Sequence, residues 1–159
     1  MSAGPLLVTA CLAAALTACG APEISSVDLE DDDRAACQAL VDGLPDTLNG
    51  LERGDVEPDD ALGAAWGDPP IVLTCGAEEP EEYDEFSTCD EVLGVGWFAP
   101  PDQLKLEQQD EDATLWAMSH SPLVKLEIPA DYRPDGAAAA VAQLAEVVIA
   151  ELDEVQACH

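Results

Sequence analysis

The sequence is short of positive charge. Five Lys and Arg stand against 34 Asp and Glu in 159 residues, which gives a formal net charge of −29 and a pI near 4.1. A nucleic-acid binder needs clustered cations to displace phosphate counterions. Arg34, Arg53, Lys105, Lys125 and Arg133 are scattered, so no nucleic acid is expected as a partner. The same shortage argues against electrostatic docking on anionic lipid headgroups. The charge permits basic protein partners, and its first consequence is solubility through mutual repulsion.

Imidazoles and aromatics are also scarce: two His, three Trp, two Tyr and two Phe. There is no Cys-x-x-Cys pair, so neither a zinc site nor a thiol redox centre is expected. There is no Gly-x-Ser-x-Gly elbow. Ser119-His120-Ser121 is adjacent in sequence, but neighbours on a strand point to opposite faces. His120 is therefore expected in a hairpin turn, titrating freely, and no catalytic residue is assigned. No window matches a calcium loop with Glu at its twelfth position. Asp55–Asp60 and Glu78–Glu85 read as solvated acidic loops, and no metal or cofactor is expected. The many carboxylates leave one alternative class open, a carboxylate-dependent enzyme acting on cell-wall or glycan material. Few aromatic platforms exist to hold a sugar there.

Long apolar runs are missing too. Leu6–Leu16 spans 11 residues. That is too short to cross a bilayer and suits the core of a signal peptide. Leu16-Thr17-Ala18-Cys19 follows: an aliphatic residue, two small residues and a cysteine, the lipobox of bacterial lipoproteins. Met1–Pro5 departs from the pattern in carrying no Lys or Arg. The organisation expected is a signal peptide over 1–18, a lipidated Cys19 with an acidic tether over 19–30, and one domain over 31–159. Two acyl chains hold stably where one holds only marginally. The expected place is the outer face of the cytoplasmic membrane, anchored through lipid on Cys19. The alternative is an ordinary secretory signal and a secreted protein.

Of six cysteines, Cys11 leaves with the signal and Cys19 is lipidated. Cys37, Cys75, Cys89 and Cys158 remain, an even number in an exported domain, which implies two disulfides with three connectivities open.

Within the domain, Cys37, Leu40, Val41 and Leu44 form one helical stripe after Asp31-Asp32-Asp33, and Pro45 ends it. Leu48–Asp60 reads as turn-rich, with a short helix near Leu51 or over Ala61–Ala65. Ile71–Cys75 reads as a buried strand entered through Asp68-Pro69-Pro70, and Glu91–Phe98 as a second. Leu104 and Leu106 alternate with charged residues. Ala113–Met118 and Val124–Ile128 read as further strands. A long helix is expected from Gly136 to about Ala157, with Val141, Leu144, Ala145, Val148, Leu152 and Val155 as its apolar stripe. The class is α+β: a mostly antiparallel sheet of four to five strands, with an N-terminal helix and a long C-terminal helix on one face. Trp66, Asp68 and Trp97 form a candidate partner surface. The favoured role for the two indoles is core, with Asp68 capping the turn.

Ala64–Gly76 (AAWGDPPIVLTCG), Ala36–Leu40 with Leu44-Pro45, Gly94–Trp97 and Val124–Pro129 resemble an actinobacterial envelope family of lipoproteins and membrane-tethered proteins, labelled only a domain of unknown function. The resemblance covers roughly residues 33–157. It implies that Cys37 pairs with Cys75, which leaves Cys89 and Cys158 as the second pair. Members often carry a basic residue where Thr74 stands here. The resemblance implies no activity, cofactor or catalytic residue. The function expected is a lipid-anchored extracytoplasmic domain, non-catalytic, that meets an envelope protein or a cell-wall component.

Overall fold

A computed structural model describes residues 20–84, 86–133 and 135–155. The expected signal peptide over 1–18, Cys19 and Cys158 lie outside the described residues.

Helix α1 covers Asp31–Gly43. Asp31, Asp32 and Asp33 fill its first turn, where the helix dipole favours negative charge. Cys37 and Leu40 are its buried residues, and Leu44 follows at the cap, also buried. Strands β1 (Thr47–Leu48), β2 (Leu51–Gly54), β3 (Gly63–Trp66), β4 (Ile71–Cys75), β5 (Asp90–Val92), β6 (Val95–Phe98), β7 (Ala113–Ala117) and β9 (Val124–Ile128) make one sheet. Its order is β1-β2-β3-β4-β9-β7-β6-β5, and every pairing is antiparallel. Helix α2 covers Asp135–Glu151. The short strands β8 (His120–Ser121) and β10 (Asp153–Glu154) pair with each other outside the main sheet.

Both helices lie on one face. Residues alternate across a strand, so Ile71, Leu73 and Cys75 of β4 and Val124, Leu126 and Ile128 of β9 share a side. They join Cys37, Leu40 and Leu44 with Ala140, Val141, Leu144, Ala145 and Val148 in one core. Gly43 lets the helices approach closely: a Cβ there would stand 2.7 Å from Val147 Cγ2.

The sheet has eight strands, and this corrects the expected four to five. Four local misreadings account for the difference. Leu48–Asp60 contains a hairpin closed by Asn49-Gly50, with φ of 53° and 78°. Both angles positive is the requirement of the tight two-residue turn that matches strand twist, and two-residue strands carry no periodicity to read. Ala61–Ala65, one of the two places offered for a short helix, is largely β3, and Leu51, the other, begins β2. All four β3 residues are buried, so no alternation marks it. Glu91–Phe98 is two strands, folded back at Leu93-Gly94, again with positive φ of 51° and 92°. Leucine rarely takes that conformation, so composition does not signal the turn. The alternating Leu104–Glu107 segment lies instead in the 3-10 helices Pro101–Leu104 and Leu106–Gln108. The long helix ends at Glu151, because Asp153 and Glu154 pair with Ser121 and His120. Val155, the last member of the expected stripe, is exposed.

The disulfide joins Cys37 of α1 to Cys75 of β4, across 38 residues. Closing that loop contributes about 4 kcal/mol in the chain-entropy model. The C37A/C75A variant is expected to lose stability of about that size in urea unfolding, and a loss below ~1 kcal/mol would place the stabilisation elsewhere. Cys89 is also disulfide-bonded. Its proposed pairing with Cys158 predicts one cross-linked peptide in the unreduced mass map, and any other partner for Cys89 refutes it.

Candidate functional site

With both helices on one face, the other face of the sheet is open to partners. Thr74, Lys125 and Trp116 sit side by side on three neighbouring strands, by the registers Thr74↔Lys125 and Trp116↔Lys125. They form the floor of a cleft of about 590 Å³. Thr74, where the resemblance implies a basic residue, is 3% exposed. Lys125 is its cross-strand neighbour and, among the described residues, the one cation lining this cleft.

Two segments wall the floor. On one side runs the chain before α1. Ile24 is buried, Ser26 Oγ donates to the Cys75 carbonyl at 2.7 Å, and the Val27 amide donates to Gly76 O at 2.8 Å. Residues 22–29, which composition reads as tether, are thus strapped to the sheet. On the other side stands the acidic loop. The amides of Gly76 and Ala77 both donate to Leu123 O, and Trp116 Nε1 donates to Glu78 O at 3.2 Å. Tyr83 packs edge-on against Phe98, with ring centroids 5.1 Å apart, and Phe98 leans on Trp116. Aromatic pairs of this geometry contribute about 0.5–1.5 kcal/mol beyond area burial. They fasten the loop to the sheet, so Glu78, Glu79, Glu81 and Glu82 are presented from an anchored wall. Lys125 Nζ lies 3.0 Å from Glu127 Oε2 on the same strand. The pair is partly exposed and contributes little stability, but it holds the ammonium along the floor. Four glutamates around one paired lysine make the cleft attractive to cationic groups.

The residues singled out in the sequence fall elsewhere. Trp66 is fully buried in β3, and its Nε1 donates to Pro45 O at 2.9 Å. Trp97 is 2% exposed. Its indole lines a smaller, mostly apolar recess with Leu104, Leu115 and Val141, and its Nε1 has no hydrogen-bond partner among the described residues. Asp68 is exposed at the tip of the β3–β4 turn. These three residues therefore form no common surface. Sequence reasoning missed Trp116 and Lys125 as a pair, because their juxtaposition depends on β7 lying beside β9. The alternation Val124–Ile128 was the available signal: it places Lys125 on the face away from the core.

His120 is not in an exposed turn. It belongs to β8 and is 4% exposed. Its Nδ1 lies 2.8 Å from Ser119 Oγ, which also accepts the Gly96 N–H at 2.8 Å. Which of the two donates in the Ser119–His120 bond depends on the imidazole tautomer. Ser119 and His120 do meet, since Ser119 precedes the strand. Both are buried, however, and neither lines the cleft. Among the described residues no group of three His, Cys, Asp or Glu could hold a metal, and no helix is long and apolar enough to cross a membrane.

Burial holds the His120 imidazole below its usual 6.5, while the Glu154 carboxylate across the β8–β10 ladder pulls the other way. The unfolded chain therefore takes up the proton first as pH falls. The stabilisation is complete above 6.5 and is lost as pH falls from there through the lower folded value. Comparing urea midpoints of wild type and H120N tests this. The advantage of wild type should be largest near neutrality and shrink in mild acid; a gap independent of pH contradicts the assignment.

No curated protein and no solved structure matches this chain. A family model does match, over residues 3–157. The chain belongs to the family described as Protein of unknown function (DUF3515).

Proposed function

We propose that this is a non-catalytic binding domain of the cell envelope, held at the outer face of the cytoplasmic membrane by lipid on Cys19. The open-face cleft is its binding site, and a cationic segment of an envelope partner is the ligand class. The anchor reading rests on the apolar run Leu6–Leu16 followed by Leu16-Thr17-Ala18-Cys19. One observation carries the binding reading. The sheet face away from the helices holds a concave site, floored by Trp116 and Lys125 and walled by Glu78, Glu79, Glu81 and Glu82. Ligands settle in concave sites where an apolar floor meets a few placed polar groups. A flat indole suits the stem of a lysine or arginine side chain, whose charged head then reaches the glutamates. With a net charge of −29, approach of a basic segment is accelerated over the whole surface.

Trp66 and Trp97 are buried, so a change in indole emission on binding reports chiefly on Trp116. A lysine-rich peptide titrated into the folded protein should shift the emission saturably, and a glutamate-rich peptide should not. The E81Q/E82Q variant should bind about tenfold more weakly, at ~0.7 kcal/mol for each of the two exposed charge contacts. Equal response to both peptides, or an affinity indifferent to E81Q/E82Q, overturns the reading.

A further inference from the structure

We infer that the domain stands on the membrane in one orientation, with the β3–β4 turn and Asp55 toward the lipid and the acidic cleft held away from it. The inference rests on the proposed lipid at Cys19 and follows from where the domain takes hold of its own N-terminal segment.

That segment joins the fold almost at once. The Glu57 amide donates to Pro22 O at 3.0 Å, and the Ile24 amide donates to Glu57 O at 2.8 Å. Ile24 is 4% exposed and lies against Gly63, where any side chain would collide with it and with the Leu73 carbonyl. Only Gly20 and Ala21 separate Cys19 from the first of these bonds, and both line a shallow recess with Asp55, Gly67, Asp68 and Pro70. From Cys19 to Pro22 the chain reaches at most ~11 Å, fully extended. A cysteine whose acyl chains lie in the bilayer therefore keeps this rim close to the headgroups.

Beyond Ile24 the strap leads away from the rim. The β3–β4 turn precedes Ile71 at one end of β4, whereas Ser26 and Val27 bond to Cys75 and Gly76 at the other. The strap thus follows β4 along its length, about 13 Å at the rise of a strand. Ser26 and Val27 form one wall of the cleft. The same segment that ties the rim to the lipid therefore ends at the site proposed for the partner and sets it off from the surface. Attraction does not hold the rim down. Its exposed charges, Asp55 and Asp68, are both acidic, so the shortness of the link imposes the orientation.

Carboxylate footprinting tests this. The mature protein is reconstituted in phosphatidylcholine vesicles, labelled with carbodiimide and glycine ethyl ester, and compared with the unanchored C19A protein. Attachment should reduce labelling of Asp55 and Asp68 severalfold and leave Glu81 and Glu82 unchanged. A Gly-Ser linker of about 12 residues between Ala21 and Pro22, which adds roughly 20 Å of mean reach, should restore labelling while the protein still floats with the vesicles. If the protein floats but Asp55 and Asp68 label as in C19A, or if Glu81 and Glu82 are protected equally, the orientation is wrong and the anchor stands. If the mature mass lacks a diacylglyceryl group, or C19A also floats, the anchor reading fails and the orientation falls with it.

Discussion

The staple between α1 and the middle of the sheet sets the rest of the molecule. Cys75 is the last of the inward series Ile71, Leu73 and Cys75, and Cys37 is a buried residue of α1. The bond commits α1 to one face of β4, the fourth of eight strands. Helix α2 packs beside α1 on the same face, with Gly43 permitting the approach to Val147. Among the described residues the opposite face receives no α-helix. Two irregular segments cover it in part, the strap before α1 and the loop after β4, and the gap between them is the cleft.

Charge makes this arrangement restrictive. With 34 acids and 5 bases, ion pairs cannot hold the fold together. Among the described residues, two salt bridges occur, both between near neighbours in sequence. Two of the arginines serve the main chain instead. Arg53 donates to Val41 O, while Arg133 donates to the carbonyls of Gln103, Gln108 and Glu111. Cohesion therefore comes from apolar packing, backbone pairing and the disulfide. The acids are left to the surface, where they repel one another and bias the choice of partner.

How legible each part was follows from how local its cause is. The stripe Cys37, Leu40 and Leu44 and the alternation of Val124, Leu126 and Ile128 are periodic, and α1 and β9 follow directly from them. The buried run Ile71–Leu73 marked β4. Strand β3 was illegible because burial on both faces erases alternation, and because Ala64-Ala65 favours a helix when read alone. The Asn49-Gly50 turn was legible in principle, since Asn-Gly between apolar residues is a strong hairpin signal; Leu93-Gly94 was not. The candidate site depended on strand order. Lys125 and Trp116 are nine residues apart in the chain, and only the β7–β9 register makes them neighbours. The strap was hidden for a similar reason: Pro22, Ile24 and Ser26 bond to main-chain groups of the β2–β3 loop and β4, which composition does not reveal.

The central claim is that the cleft, and not the helical face, meets a partner in the envelope. The direct measurement is photocrosslinking in intact cells, with the reactive side chain placed at Val27 in the cleft wall or at Glu146 on α2. A discrete crosslinked species from the Val27 position, lost in the E81Q/E82Q background and absent from the Glu146 position, is the predicted result. The same species from both positions, or one unaffected by E81Q/E82Q, would contradict the account.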